Sequence, residues 1–332
     1  MKVLSLFDGI ACGRLALKRA GIQVDSYDAF EIDKAAIKVA ATNFPDINEW
    51  GDVRNADFSQ FVGYDLLIGG SPCTNFSSSG KRNGMTTKDK FELTTLDDYL
   101  KLKEEGCEFD GQSYLFWEYV RALRAVKPKF FLLENVKMKK QWQDIITREL
   151  GVEPIEINSK LVSAQNRVRL YWTNIPNVMA PSDKGIKLAD ILENIDFLHP
   201  GAIRGRNVIL HKAVIIGRRL NPDGHREDNN RSIPIIQCLE VRKTNCDKSN
   251  CLTTVEKDNV LTPLPIGRYA DCYGLISGNR LPFRHYTRTE YERLQTLPDG
   301  YTRCISESAA KKAIGNGWTV DIIAHIFDNL NS

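Results

Sequence analysis

The chain has 332 residues, 42% of them hydrophobic, which is room for one large α/β domain and a smaller one at roughly 100 to 200 residues per domain. A formal net charge of +3 is nearly neutral at this length, so a basic surface for a polyanion has to be local. Eight scattered cysteines, a polar start that does not fit a signal peptide, and the lack of a long apolar run lead to the expectation of a reducing cytoplasmic setting without a membrane span. Cys246 and Cys251 lack a second ligand pair at zinc spacing, so no metal is expected.

In chain order, residues 2–7 read as a strand, 13–20 as a helix stopped by Gly21, 24–30 as a strand and 34–43 as a helix. Residues 66–68 form a later strand and 114–125 a helix; 130–134 is an apolar strand ending in an acid, and 142–150 is a helix. This alternation predicts a doubly wound parallel sheet with its ligand site along the carboxyl edge. From about residue 175 short β-type runs at 208–210, 214–216 and 233–236 replace it, among many arginines and lysines, which reads as an irregular, mostly β domain with a local basic footprint. Helical signals return from residue 287, with an apolar face at Ile322, Ile323, Ile326 and Leu330.

Six places along the chain carry chemistry. Phe7 to Gly13 follows the first strand and opens a helix, so Gly9 and Gly13 permit a tight turn, although the spacing is not the dinucleotide fingerprint. Glu31 ends the second strand where an acid accepts ribose hydroxyls, and Asp52 suits an exocyclic amine. With no Lys or Arg in the glycine loop, a nucleoside cofactor without a pyrophosphate is preferred, and S-adenosylmethionine fits. The run Asp65 to Cys73 is a buried-type strand leading through Gly69 and Gly70 to a cysteine, which at that place is either a packed thiol or a nucleophile. Glu134 ends an otherwise apolar strand as a capping group or a working acid, and alternation along a strand would put Gln165, Arg167 and Arg169 on one face.

These stretches, in this order, resemble the DNA cytosine-C5 methyltransferase family. The resemblance covers about residues 1–82, 111–173 and 287–330. It rests on Phe7 and Gly9, Pro72-Cys73, Glu134-Asn135-Val136, the Gln-x-Arg-x-Arg at Gln165, Arg167 and Arg169, the stretch from Arg288 to Gln295, and Gly315-Asn316. It implies a Rossmann-like S-adenosylmethionine-dependent methyltransferase fold with a smaller, mostly β target-recognition domain. The expected boundaries are 1–174 for the catalytic domain, with an insertion at about 85–110, then 175–286 for target recognition, and 287–332 completing the catalytic part.

The resemblance further implies that Cys73 adds to carbon 6 of a flipped-out cytosine, that Glu134 serves N3 and the exocyclic amine, and that Arg167 and Arg169 contact the base and its nucleotide. It places Phe7, Asp8, Gly9, Ile10, Gly13, Glu31, Ile32, Asp52, Val53, Pro72, Asn316 and Trp318 around the cofactor. Contacts to duplex DNA are expected from Ser77, Lys81, Arg82, Gln165, Arg204, Arg206, Arg218, Arg219 and Thr253. Trp318 departs from the family, which more often has a small or aliphatic residue there. The expected partner is duplex DNA, bound by a monomer. A transfer-RNA methyltransferase of the same superfamily and a catalytically silent DNA-binding relative are the alternatives.

Overall fold

The computed structural model describes residues 1–72, 76, 84–193, 210–223, 225, 227–241, 247–252, 259–262, 269–271 and 283–331. Cys73, Ser77, Lys81, Arg82, Arg204, Arg206 and Thr253 lie outside the described residues. The chain divides into two compact units: Met1–Ser159, Val168–Ser182 and Gly317–Ser332 form the first, and Lys160–Arg167 with Asp183–Asn316 form the second.

In the first unit the elements run β1 (Lys2–Leu6), α1 (Cys12–Arg19), β2 (Ser26–Phe30), α2 (Lys34–Asn43), β3 (Ile47–Glu49), β4 (Leu66–Gly69), β5 (Thr86–Thr87), α3 (Leu96–Glu104), β6 (Phe109–Asp110), α4 (Phe116–Val126), β7 (Phe130–Val136), α5 (Lys140–Leu150), β8 (Ile155–Asn158) and β9 (Val168–Thr173). The sheet order is β3-β2-β1-β4-β7-β9-β8. Central β4 is buried along its whole length, and β1 beyond its first residue, as expected of strands covered on both faces. Helix starts follow local chemistry: the Asp33 carboxylate accepts from the backbone N–H groups of Ala35 and Ala36, and Thr95 with Asp98 forms a capping box for α3.

The sheet is mixed, which corrects the expectation of an all-parallel one. β3, β2, β1, β4 and β7 are mutually parallel, whereas β9 runs antiparallel to both β7 and β8. No helix long enough for a crossover separates β8 from β9, and without one adjacent strands must run antiparallel. The insertion is part of the core: β5 pairs with β6, and Met85, Leu93, Leu96 and Tyr99 pack in the same cluster as Phe116, Trp117 and Val120 of α4.

In the second unit α6 (Leu188–Ile191) precedes β10 (His211–Arg218), β11 (Ile236–Val241), β12 (Val260–Thr262), β13 (Tyr269–Asp271), β14 (Arg284–His285), α7 (Arg288–Leu294) and α8 (Glu307–Asn316). The strands make an antiparallel sheet, β13-β11-β10-β12-β14, around Ala213, Ile215, Leu239, Val241 and Val260. The chain then returns to the first unit for α9 (Val320–Phe327). This division differs from the boundaries expected at 174 and 286, because 160–167 and α7–α8 are bonded into the second unit. Lys248 Nζ donates to the carbonyls of Lys160 at 2.8 Å and Ser163 at 3.2 Å, and Arg167 Nη2 donates to the Gly315 carbonyl at 3.2 Å.

Candidate active site

At the carboxyl end of β1 the turn from Phe7 to Ala11 takes three left-handed residues, Phe7 (φ 59°), Gly9 (φ 60°) and Ala11 (φ 60°). Only Gly9 adopts this region without strain, and strained turns of this kind concentrate at ligand sites. Glu31, just past β2, anchors the turn: Oε2 accepts from the Gly9 N–H at 2.8 Å, and Oε1 from those of Ile32 at 2.7 Å and Asp33 at 2.8 Å. Asp8 accepts from the hydroxyls of Ser5 and Tyr27, both at 2.6 Å; burial pushes its carboxyl up to about 6, against the pull of those two bonds. Glu49 at the end of β3 accepts from the Glu31 N–H at 2.9 Å. Ile10 and Val53 are buried, Gly13 starts the body of α1, and Ile32 is exposed.

Asp52 is bonded differently from the expectation. Its oxygens accept from the Arg54 backbone N–H at 3.0 Å and from the guanidinium Nε at 2.9 Å and Nη2 at 2.5 Å, and Arg54 holds the carboxyl below its usual range. A carboxylate has about four acceptor positions, so an adenine amine reaching Asp52 competes with Arg54. The loop after Asp52 is in turn clamped by the insertion and α4: Lys103 Nζ donates to the Arg54 carbonyl at 2.8 Å, and Arg121 to those of Ala56 at 2.9 Å and Val53 at 3.1 Å.

The edge of β4 and β7 holds the second cluster. Pairing across β7 and β9 sets Glu134 opposite Tyr171 and Val136 opposite Arg169, which makes Glu134 and Arg169 diagonal neighbours on one face. Arg169 Nε lies 2.9 Å from Glu134 Oε1, and Trp318 Nε1 donates to Glu134 Oε2 at 3.0 Å. Asn135 Nδ2 donates to the Ser71 carbonyl at 3.2 Å and hydroxyl at 3.1 Å, fixing the backbone beside the half-buried Pro72 that precedes Cys73. A methyl group on Gly70 would lie 3.2 Å from Glu134 Oε2. Phe76 and Gly84 both pack on Trp142 of α5. Asn135 and the Trp318 bond were missed in the sequence; the polar pair ending an apolar strand was the available signal for the first.

Gln165 and Arg167 do not share a strand face with Arg169, which corrects the alternation argument, because β9 begins only at Val168. Gln165 is fully buried in the second unit, where its amide donates to the Leu294 carbonyl at 3.0 Å and accepts from the Leu252 N–H at 2.9 Å. Its expected place at the DNA is therefore not supported: a buried amide with both ends bonded has nothing to offer a groove. Arg167 is also buried there, donating to the carbonyls of Leu252 and Gly315. Arg218 pairs with Glu240 at 3.0 Å, and Arg219 donates to the Ile233 carbonyl at 2.8 Å. Asn316 is the exposed last residue of α8. Among the described residues no helix is long and apolar enough to cross a membrane, and no cluster of His, Cys, Asp or Glu is arranged to hold a metal.

Residues 1–147 match the family model described as C-5 cytosine-specific DNA methylase. The orphan methyltransferase M.SPRI of Bacillus phage SPR is 32% identical over 209 residues, covering 58% of this chain and 42% of that protein. The orphan methyltransferase M.SPBetaI of Bacillus phage SPbeta is 33% identical over 218 residues, covering 58% and 49%. The match thus spans less than half the length of either relative. Among solved structures, the Dnmt2 methyltransferase of S. pombe superposes with a TM-score of 0.58 at 16% identity over 100% of both chains. The Entamoeba histolytica methyltransferase EhMeth superposes at 0.63 and 15% identity, over 100% of this chain and 99% of that one. At these identities the likeness is one of fold, the Rossmann-like methyltransferase fold.

Proposed function

We propose, from the match of residues 1–147 to the C-5 cytosine-specific DNA methylase model and from the phage relatives, that this chain belongs to that family and transfers a methyl group from S-adenosylmethionine to carbon 5 of cytosine in a specific sequence of duplex DNA. The observation that supports this most is Glu134, a carboxylate at a strand end, held on both oxygens and set against the Gly70-Ser71-Pro72 lead to Cys73.

Carbon 5 of cytosine is a weak nucleophile. Cys73 thiolate forms a bond to carbon 6, the ring electron pair moves toward carbon 5, and Glu134 holds a proton at N3 that offsets the charge left in the ring. S-adenosylmethionine, when bound, supplies the electrophilic methyl group. Loss of the carbon 5 proton to a base then returns the electron pair, breaks the carbon 6 to sulfur bond and releases Cys73. Arg169 orients Glu134. The target carbon is stacked inside the duplex, so the base must be flipped out, at a cost of a few kcal/mol.

The residues at the glycine turn suit the cofactor. Glu31 takes three backbone N–H groups and retains acceptor capacity for a ribose hydroxyl, while Asp8, Glu31 and Glu49 make an edge that favours a sulfonium cation over a phosphate. Phe7, Ile10, Ile32, Val53 and Pro72 supply apolar surface. The basic residues of the second unit serve DNA recognition, phosphate contacts setting register and base contacts setting sequence. Labelled methyl from S-adenosylmethionine, offered with unmethylated genomic DNA and with transfer RNA, tests this; label entering DNA is expected, and label entering only RNA would refute it.

A further inference from the structure

We infer that Trp318 is a positioning residue for Glu134, acting through its indole N–H, a role distinct from that of a wall of the cofactor pocket. The inference rests on the proposed function, in which Glu134 works at N3. The carboxylate has one donor on each oxygen: Arg169 Nε at 2.9 Å from Oε1 and Trp318 Nε1 at 3.0 Å from Oε2. Two donors on separate oxygens fix the plane of the carboxyl group as well as its position, since turning it weakens both bonds together. An indole N–H donates only and does not titrate. It therefore orients Glu134 without taking part in the proton traffic the carboxyl group has with a base.

The indole is itself seated. A methyl group on Gly13 would lie 3.4 Å from its Cζ3, and one on Gly70 would lie 2.8 Å from Nε1 and 3.3 Å from Cε2. Gly70 leaves the space that the N–H edge of the ring fills, whereas at Gly13 the Ile68 Cδ1 and the Tyr27 hydroxyl lie nearer than the ring. The next residue, Thr319, is tied by its hydroxyl to that of Ser159 at 2.8 Å, which holds the backbone carrying the ring. Gly70, together with a tryptophan in place of the family's smaller residue, thus forms one device that aims the carboxylate.

Trp318→Phe keeps a ring in the space and removes the N–H. In steady-state methylation of unmethylated genomic DNA it is expected to lower kcat roughly 10- to 100-fold, as for loss of one hydrogen bond to a charged group, with the KM for S-adenosylmethionine within about twofold of wild type. In a Glu134→Gln background the same substitution is expected to change kcat by less than about twofold, because residues acting as one unit are not additive. Independently of turnover, the indole 15N–H resonance that disappears in Trp318→Phe should move upfield in Glu134→Gln. A raised KM with unchanged kcat, an equal loss in both backgrounds, or an indole resonance indifferent to Glu134→Gln would overturn the inference alone. A wild-type protein that methylates neither DNA nor transfer RNA would overturn the proposed function, and this role with it.

Discussion

Replacing Glu118 by Ala tests whether the insertion at 85–110 braces the site or merely decorates it. Glu118 is fully buried and accepts from the Tyr99 hydroxyl at 2.5 Å, Lys103 Nζ at 2.6 Å and Arg121 Nε at 2.7 Å. Lys103 and Arg121 also clamp the loop after Asp52, and the Arg121 guanidinium lies 4.3 Å from the Phe58 ring. Removing one partner of a buried ion network costs about 3–5 kcal/mol, because the remaining charge stays desolvated. Lys103 retains a third of its side-chain exposure and can turn toward water, which moves the value toward about 3 kcal/mol. With an m-value of about 3 kcal/mol/M the urea midpoint, followed by tryptophan fluorescence, should fall by about 1 M. Affinity for S-adenosylhomocysteine should fall with it, since the Asp52 loop loses its clamp, and Glu118→Gln should lie between variant and wild type. A midpoint shift below about 0.2 M would show that water serves these cations and that the insertion braces nothing.

Other consequences are as direct. Gly70→Ala forces a methyl group against the indole and Glu134, so a cost of about 1–3 kcal/mol in stability and a large loss of kcat are expected from urea melts and methylation assays. For Asp8 the raised folded value, about 6 against an ordinary 3.8, means the native state binds the proton more tightly than the unfolded chain does. Its contribution is therefore present below pH 4 and lost as pH rises through about 6. Asp8→Asn should gain on wild type between about pH 4 and about pH 7, by at most about 3 kcal/mol, and a parallel pair of melting curves would refute this. Isothermal titration with S-adenosylhomocysteine should show Glu31→Gln weakening binding by more than about tenfold and Asp52→Asn by less than about threefold, because Arg54 already fills the Asp52 acceptors.

The sheet elements were legible where one local signal dominated. The apolar runs at β1, β4 and β7 could only be interior strands, and α2 matched its predicted bounds because Asp33 caps it. Predictions failed where a long-range partner decides. Gln165 looked like a strand residue facing a ligand, yet its amide is consumed by Leu252 and Leu294, far along the chain. No window around Trp318 announces a bond to Glu134, 184 residues away. The boundaries at 174 and 286 followed a change in composition, whereas Lys248 and Arg167 tie 160–167 and α8 to the second unit through carbonyls that composition does not report. Motif order carried the remainder: it brought Glu134, Arg169 and the Pro72-Cys73 lead into one account before any geometry was known.

The central claim is that Cys73 bonds covalently to a cytosine in DNA. Incubation with S-adenosylmethionine and duplex DNA carrying 5-fluorocytosine blocks loss of the carbon 5 substituent and should leave a denaturation-resistant protein–DNA adduct. The account predicts that adduct for the wild type and none for Cys73→Ser, with S-adenosylhomocysteine still bound by the variant. An adduct formed equally by Cys73→Ser would contradict it.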